Sequence, residues 1–115
     1  MLQRKFRLRR KSSFKTIFKE GRNYSVKYVA MYLIKGPKRF GFIASKKVGN
    51  SVQRNRARRL MREVIRLHIS EIRNDIQIIF IARARIKGVS FIEVERYMMN
   101  MLKNANTLIK VSKLE

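Results

Sequence analysis

The sequence predicts an α+β fold, a single-domain α/β sandwich in which a small central sheet is packed by helices in the order α-β-β-α-β-α, with room for a further strand beside the first two. Three observations carry this. The 115 residues are about one domain in length. Hydrophobic residues make up 45% of them, including seven Phe and four Tyr, which is enough to build a core despite the charge. Apolar residues recur at strand-like spacing in some stretches and at three- and four-residue spacing in others. No repeat, low-complexity stretch or linker divides the chain, so 1–115 reads as one unit with a basic arm at 1–11 and a short tail at 110–115.

The elements follow in order. Gln3 to Lys11 reads as an extended arm, expected with the tail after Ile109 to order on a polyanionic partner. Ser12 or Ser13 then caps a short helix carrying Phe14, Ile17 and Phe18, which Gly21 stops. From Val26 to Lys35 the residues are β-branched or aromatic and roughly alternate, and Gly36-Pro37-Lys38 turns the chain into a second strand near Arg39 to Ala44, a hairpin. Gly49-Asn50-Ser51 breaks that pattern, and the stretch from Val52 to about Ile69 has helical periodicity. Ile76 to Ala84 reads as a strand buried on both faces, its short length deciding against a buried helix. Ser90-Phe91-Ile92-Glu93 fits a capping box opening a third helix that runs to about Ile109. Its Val94, Tyr97, Met98, Met101, Leu102 and Ala105 recur at helical spacing and form a core stripe rather than a methionine-rich binding surface.

The charge balance narrows the function. Against 29 Lys plus Arg stand 7 Asp plus Glu, a formal +22. Such self-repulsion raises the free energy of the compact state unless a polyanion screens it, which implies a nucleic acid or an anionic membrane. No apolar run approaches the ~20 residues that span a bilayer, and the basic start of the chain precedes no apolar signal region, so a cytoplasmic protein is expected. The absence of Cys excludes a disulfide framework or a zinc knuckle.

The second helix is the most informative segment. Spaced about 100° apart, Arg54, Asn55, Arg58, Arg59, Arg62 and Arg66 fall within an arc of roughly 140°. Ala57, Leu60, Met61, Val64 and Leu67 fall opposite, Glu63 lies near the margin and Ile65 is the exception. A solvated face ordinarily mixes signs, because like charges four residues apart cost a few tenths of a kcal/mol per pair. Arg54, Arg58, Arg62 and Arg66 repeat that unfavourable spacing, which points to polyphosphate binding. Guanidinium forks donate two hydrogen bonds to one phosphate and also stack on exposed bases. Just upstream, Lys46 and Lys47 sit beside a glycine-containing loop at the helix start and extend the positive surface.

The run Ser45-Lys-Lys-Val-Gly-Asn-Ser-Val-Gln-Arg-Asn-Arg-Ala-Arg-Arg-Leu-Met-Arg-Glu63 resembles the Arg-Asn-Arg signature of the bacterial ribonuclease P protein family. Supporting matches are the basic arm leading into Phe14-Lys-Thr-Ile-Phe-Lys-Glu-Gly21, the strand with Tyr32, and Ile78-Ile-Phe-Ile-Ala-Arg83. Position 58 is Arg where that family commonly has Lys, which keeps the charge. The resemblance implies a left-handed βαβ crossover, against the usual rule. It implies a subunit that binds a catalytic RNA and assists removal of the 5′ leader from precursor tRNA by hydrolysis of one phosphodiester. It also implies that Arg54, Asn55, Arg59 and Arg62 contact the catalytic RNA; the helical arc adds Arg58 and Arg66, and the loop adds Lys47. Phe14, Phe18 and Tyr32 would hold the single-stranded leader, flanked by Lys11 and Lys46. Without the resemblance those aromatics read as core.

The chemistry itself is not expected in this chain. A protein nuclease gathers carboxylates or histidines to hold metal or move protons. Here His68 is the only histidine and reads as a helix-end or surface residue, and Glu20, Glu63, Glu71, Asp75, Glu93, Glu95 and Glu115 show no metal-ligand spacing. The implied partners are ribonuclease P RNA and precursor tRNA, with no membrane or protein partner required. No cofactor is expected on the protein alone; Mg2+ belongs to the RNA-containing enzyme. Two alternatives remain, a small basic ribosomal-RNA-binding protein or assembly factor, and a self-contained nuclease.

Overall fold

The computed structural model describes residues 2–109. It contains helices α1 (Lys11–Glu20), α2 (Ser51–Leu67) and α3 (Phe91–Asn104), and strands β1 (Arg22–Ser25), β2 (Val29–Lys35), β3 (Arg39–Ala44) and β4 (Ile76–Ala82). The four strands form one sheet in the order β1-β2-β4-β3.

The expected β2–β3 hairpin does not form. β4 lies between them, antiparallel to β2, with Met31 opposite Phe80, and parallel to β3, with Phe42 opposite Phe80. An apolar strand buried on both faces gains most at the centre of a sheet. The β3–α2–β4 segment is therefore a parallel crossover, and the true hairpin joins β1 to β2, with Arg22 opposite Leu33. β1 supplies a further strand, but ahead of the region Val26 to Ala44 where one was expected. Val26–Tyr28 are a bend between the two strands, held where Arg83 donates to the Ser25 hydroxyl at 2.9 Å and the Val26 carbonyl at 2.8 Å.

Strand alternation divides the molecule into two packed faces. Val29, Met31, Leu33, Phe40, Ile78 and Phe80 point to the main core, where they meet Ala57, Met61, Val64 and Ile65 of α2 and Val94, Met98, Met101 and Leu102 of α3. Ile79 points to the other face and packs with Ile17 of α1 and with Leu8, while Phe14, Tyr32, Ile34, Ile43 and Ile81 are half-buried around them.

Several local expectations need correction. Neither Ser12 nor Ser13 caps α1; both lie in its first turn, and the cap position, Arg10, makes no side-chain cap bond. Only the serine half of the α3 capping box forms, the Ser90 hydroxyl accepting from the Glu93 amide at 3.4 Å, while the Glu93 carboxylate faces Tyr28 and Arg96 instead. α3 stops at Asn104, where Asn106 turns left-handed (φ 60°) and Thr107 bonds back to Leu102. β4 ends at Ala82, and a short 3-10 turn takes up Ala84–Ile86. The arm is not free: a 3-10 turn at Arg4–Phe6 leads to Arg7, which pairs in parallel with Phe40 on the β3 edge. Burial of Leu2 and Leu8 is what anchors it. The tail at 110–115 lies outside the described residues.

Candidate nucleic-acid interface

The start of α2 is fixed by backbone chemistry. After β3 the chain turns with Val48 N–H donating to the Ser45 carbonyl and Gly49 N–H to the Lys46 carbonyl. Gly49 has φ 142°, and a Cβ there would stand 1.9 Å from the Gln53 side-chain oxygen, so only glycine fits. Asn50 then caps the helix reciprocally: its side chain accepts from Gln53 N–H, and the Gln53 side chain accepts from Asn50 N–H, both at 2.9 Å. Lys46 and Lys47 are exposed on this turn.

One face of α2 gathers the cations. Asn55, Arg58, Arg59, Arg62 and Glu63 line a recess of about 480 Å³. Arg58 donates to the Asn55 side-chain oxygen, which orients both. The Arg62 guanidinium lies 5.7 Å above the Phe42 ring, a cation–π contact that holds it against β3. Burial, then the positive charges of Arg7, Arg58 and Arg59, pull the Arg62 pKa below its usual value. Among the described residues no ion pair involves Arg54, Arg58, Arg59 or Arg62. Arg54 instead donates to the Ser51 hydroxyl at 3.1 Å.

Arg66 stands apart from the other arginines on that arc. It grips Glu63 through two bonds of 2.9 and 2.5 Å, which hold the Glu63 carboxyl below the usual carboxylate range. Its charge is therefore largely compensated. Ile65, the exception in the arginine arc, is fully buried, whereas Leu67, assigned to the packing side, is 49% exposed. The buried stripe of α2 is Ala57, Met61, Val64 and Ile65, with Ile65 in place of the Leu67 read from hydrophobicity alone.

The opposite face of the sheet carries the aromatics. α1 lies across it, with Ile17 buried beneath and Phe18 left 40% exposed. The Phe18 and Tyr32 rings meet edge to face at 5.0 Å. Phe14 lies on Gly41, where a Cβ would come within 2.7 Å of the ring. None of the three is in the fully buried core, so each keeps ring surface open beside half-buried Ile43 and Ile81. Lys11 is exposed three residues before Phe14 and shares its side of the helix. Phe18 thus meets Tyr32, and Tyr32 and Phe14 both pack around Ile17 on the α1 side, while Asn55, Arg58, Arg59 and Arg62 line a separate recess on α2.

The sequence pattern of the family described as Ribonuclease P matches residues 2–106. The chain belongs to the ribonuclease P protein family. A ribonuclease P protein component from Clostridioides difficile (strain 630) is 36% identical, over 89% of this chain and 93% of its own length. One from Clostridium novyi (strain NT) is also 36% identical, over 86% and 92%. Among solved structures, the RNase P protein of Staphylococcus aureus superposes with a TM-score of 0.79 at 29% identity, covering 90% of this chain and 98% of that one. The Thermotoga maritima RNase P protein gives 0.78 at 28%, covering 91% and 98%. The chain is accordingly a protein subunit of ribonuclease P, an RNA-binding component of a tRNA-processing enzyme that acts with an RNA subunit. These relatives favour that reading over the ribosomal alternative.

Two features went unread in the sequence. His68 is the helix-end residue expected, but its ring also bridges two carboxylates, Nδ1 to Glu71 at 2.5 Å and Nε2 to Glu95 at 2.8 Å. Arg7 lies beside the arginine face, although the basic run gave no hint of where the arm docks. Among the described residues no group of three His, Cys, Asp or Glu is placed to hold a metal ion, and no helix is long and apolar enough to cross a membrane.

Proposed function

We propose that the arginine face of α2 holds the catalytic RNA of ribonuclease P while the α1 cleft holds the single-stranded 5′ leader of precursor tRNA, the phosphodiester being hydrolysed by the RNA. The observation that carries this is the gathering of Asn55, Arg58, Arg59 and Arg62 around one recess with no acid paired to the arginines among the described residues. Guanidinium groups so placed neutralise phosphates and release counterions, a sequence-independent attraction. Arg54 and Lys47 continue that surface at the helix start; Arg66 contributes less because Glu63 already occupies it.

The open rings of Phe14, Phe18 and Tyr32 are a platform on which successive bases stack at about 1–3 kcal/mol each, tolerant of sequence because every base has a π-face. Lys11, three residues before Phe14, and Lys46, exposed on the turn before α2, are assigned to the leader phosphates. Metal-assisted hydrolysis is assigned to the RNA, and this subunit supplies affinity and position. It works in the cytoplasm and needs no further protein or membrane.

Changing Phe14 and Phe18 together to Ala tests the cleft. In the assembled enzyme, with two stacks of about 1–3 kcal/mol each removed, precursor tRNA should bind at least roughly 30-fold more weakly, while mature tRNA, which has no leader, should bind as before. Equal losses on both would remove the leader from this cleft.

A further inference from the structure

The N-terminal arm builds a third cationic surface, distinct from α2 and from the aromatic cleft. It crosses the sheet edge at β3: Leu2 and Phe6 join the main core, and Leu8 joins the cluster beneath α1. Leu8 N–H donates to the Phe40 carbonyl at 2.8 Å, and Arg7 Nε to the Leu2 carbonyl at 3.0 Å. The backbone between the two leucines is thereby fixed.

That fixed backbone shapes a recess of about 410 Å³ walled by Arg4, Lys5, Arg7, Arg9, Arg10 and Arg39, with Ser13 at its side. No acidic residue lines it, and among the described residues none of the six cations takes part in an ion pair. On a free basic tail these charges would spread apart in water. Here the anchored leucines and β3 hold them together, and crowded like charges favour an anion between them.

We propose that this recess binds RNA phosphates, clasping the sugar-phosphate backbone between the α2 face and the α1 cleft. Its position argues for a continuous track: Arg7 approaches Arg62 on one side, and Leu8 packs with Ile17 and Phe14 on the other. Its wall argues for phosphate rather than base, because it presents forked donors and no aromatic ring. The inference rests on the RNA-binding reading above.

The test replaces Arg9, Arg10 and Arg39, all exposed, together with Gln, beside a charge-preserving triple Lys variant. Binding is measured from low to moderate salt for ribonuclease P RNA alone, and for the assembled enzyme with precursor tRNAs of short and long leaders. Removing one phosphate interaction lowers the slope of log affinity against log salt by about 0.7–0.9, so the triple Gln variant should lose roughly two to three units of slope and the Lys variant little. A reduced slope on the RNA alone assigns the recess to the catalytic RNA; a reduction confined to long-leader substrates assigns it to the leader. Unchanged slopes in every arm, or equal reductions in the Lys variant, overturn the proposal. Wild-type protein that binds neither RNA would overturn the functional reading itself.

Discussion

His68 shows how a residue with no legible role in the sequence becomes structural. Its two ring nitrogens meet Glu71 from the turn after α2 and Glu95 from α3, so one imidazolium joins three segments. Burial alone lowers its pKa, but the bonds to Glu95 and Glu71 outweigh that and raise it above the ordinary value of about 6.5. A raised folded-state pKa contributes stability that is full below about pH 6.5 and is lost as pH rises through the folded value. Thermal melts should therefore show stability declining across that window, and His68→Gln should flatten the decline; an unchanged pH profile in the variant would contradict the assignment. Lone histidines carry no spacing signal, and only folding brings α3 and its Glu95 to this ring. Gly41 was equally silent, since its lack of a side chain matters only because Phe14 lies on it.

At the scale of elements, the helices and the central strand were legible and the pairing of strands was not. Periodicity located α2 and α3 because each buries one stripe, and the adjacent Ile78–Ile81 marked β4 as buried on both faces. The same mark excludes an edge position, and so argues for β4 between β2 and β3; the Gly36-Pro37-Lys38 turn suggested a hairpin instead. Lys38 explains what that turn does. Its ammonium donates to the Ile69 and Ile72 carbonyls at 2.5 and 2.6 Å, fastening the turn to the segment after α2. The α2 start had a capping box, Asn50 with Gln53, that the glycine break obscured. On the arginine face, packing and function oppose each other. Replacing Arg59, exposed among like charges, with Gln should stabilise the free protein by a few tenths of a kcal/mol while weakening RNA binding. Melting curves and RNA titrations on the same variant check both signs; a destabilised free protein would mean that Arg59 serves the fold.

For the whole molecule, the net charge of +22 is distributed rather than diffuse. The sheet separates an arginine face on the α2 side from an aromatic cleft on the α1 side, and the arm crosses the edge between them. The family resemblance named residues on both sides of the sheet, because most of them lie in the motifs Phe14–Gly21 and Ser45–Glu63. The arm's course was not readable, because a basic run with scattered Leu and Phe has no periodicity to reveal that Leu2 and Leu8 pack on opposite faces of one sheet.

The central claim is that this chain supplies affinity and position to a reaction performed by RNA. Its most direct test is cleavage of precursor tRNA at low magnesium by the protein alone, by a bacterial ribonuclease P RNA alone, and by the two together. The account predicts efficient cleavage at the mature 5′ end only for the combination. Cleavage by the protein alone, or no gain when it joins the RNA, would contradict it.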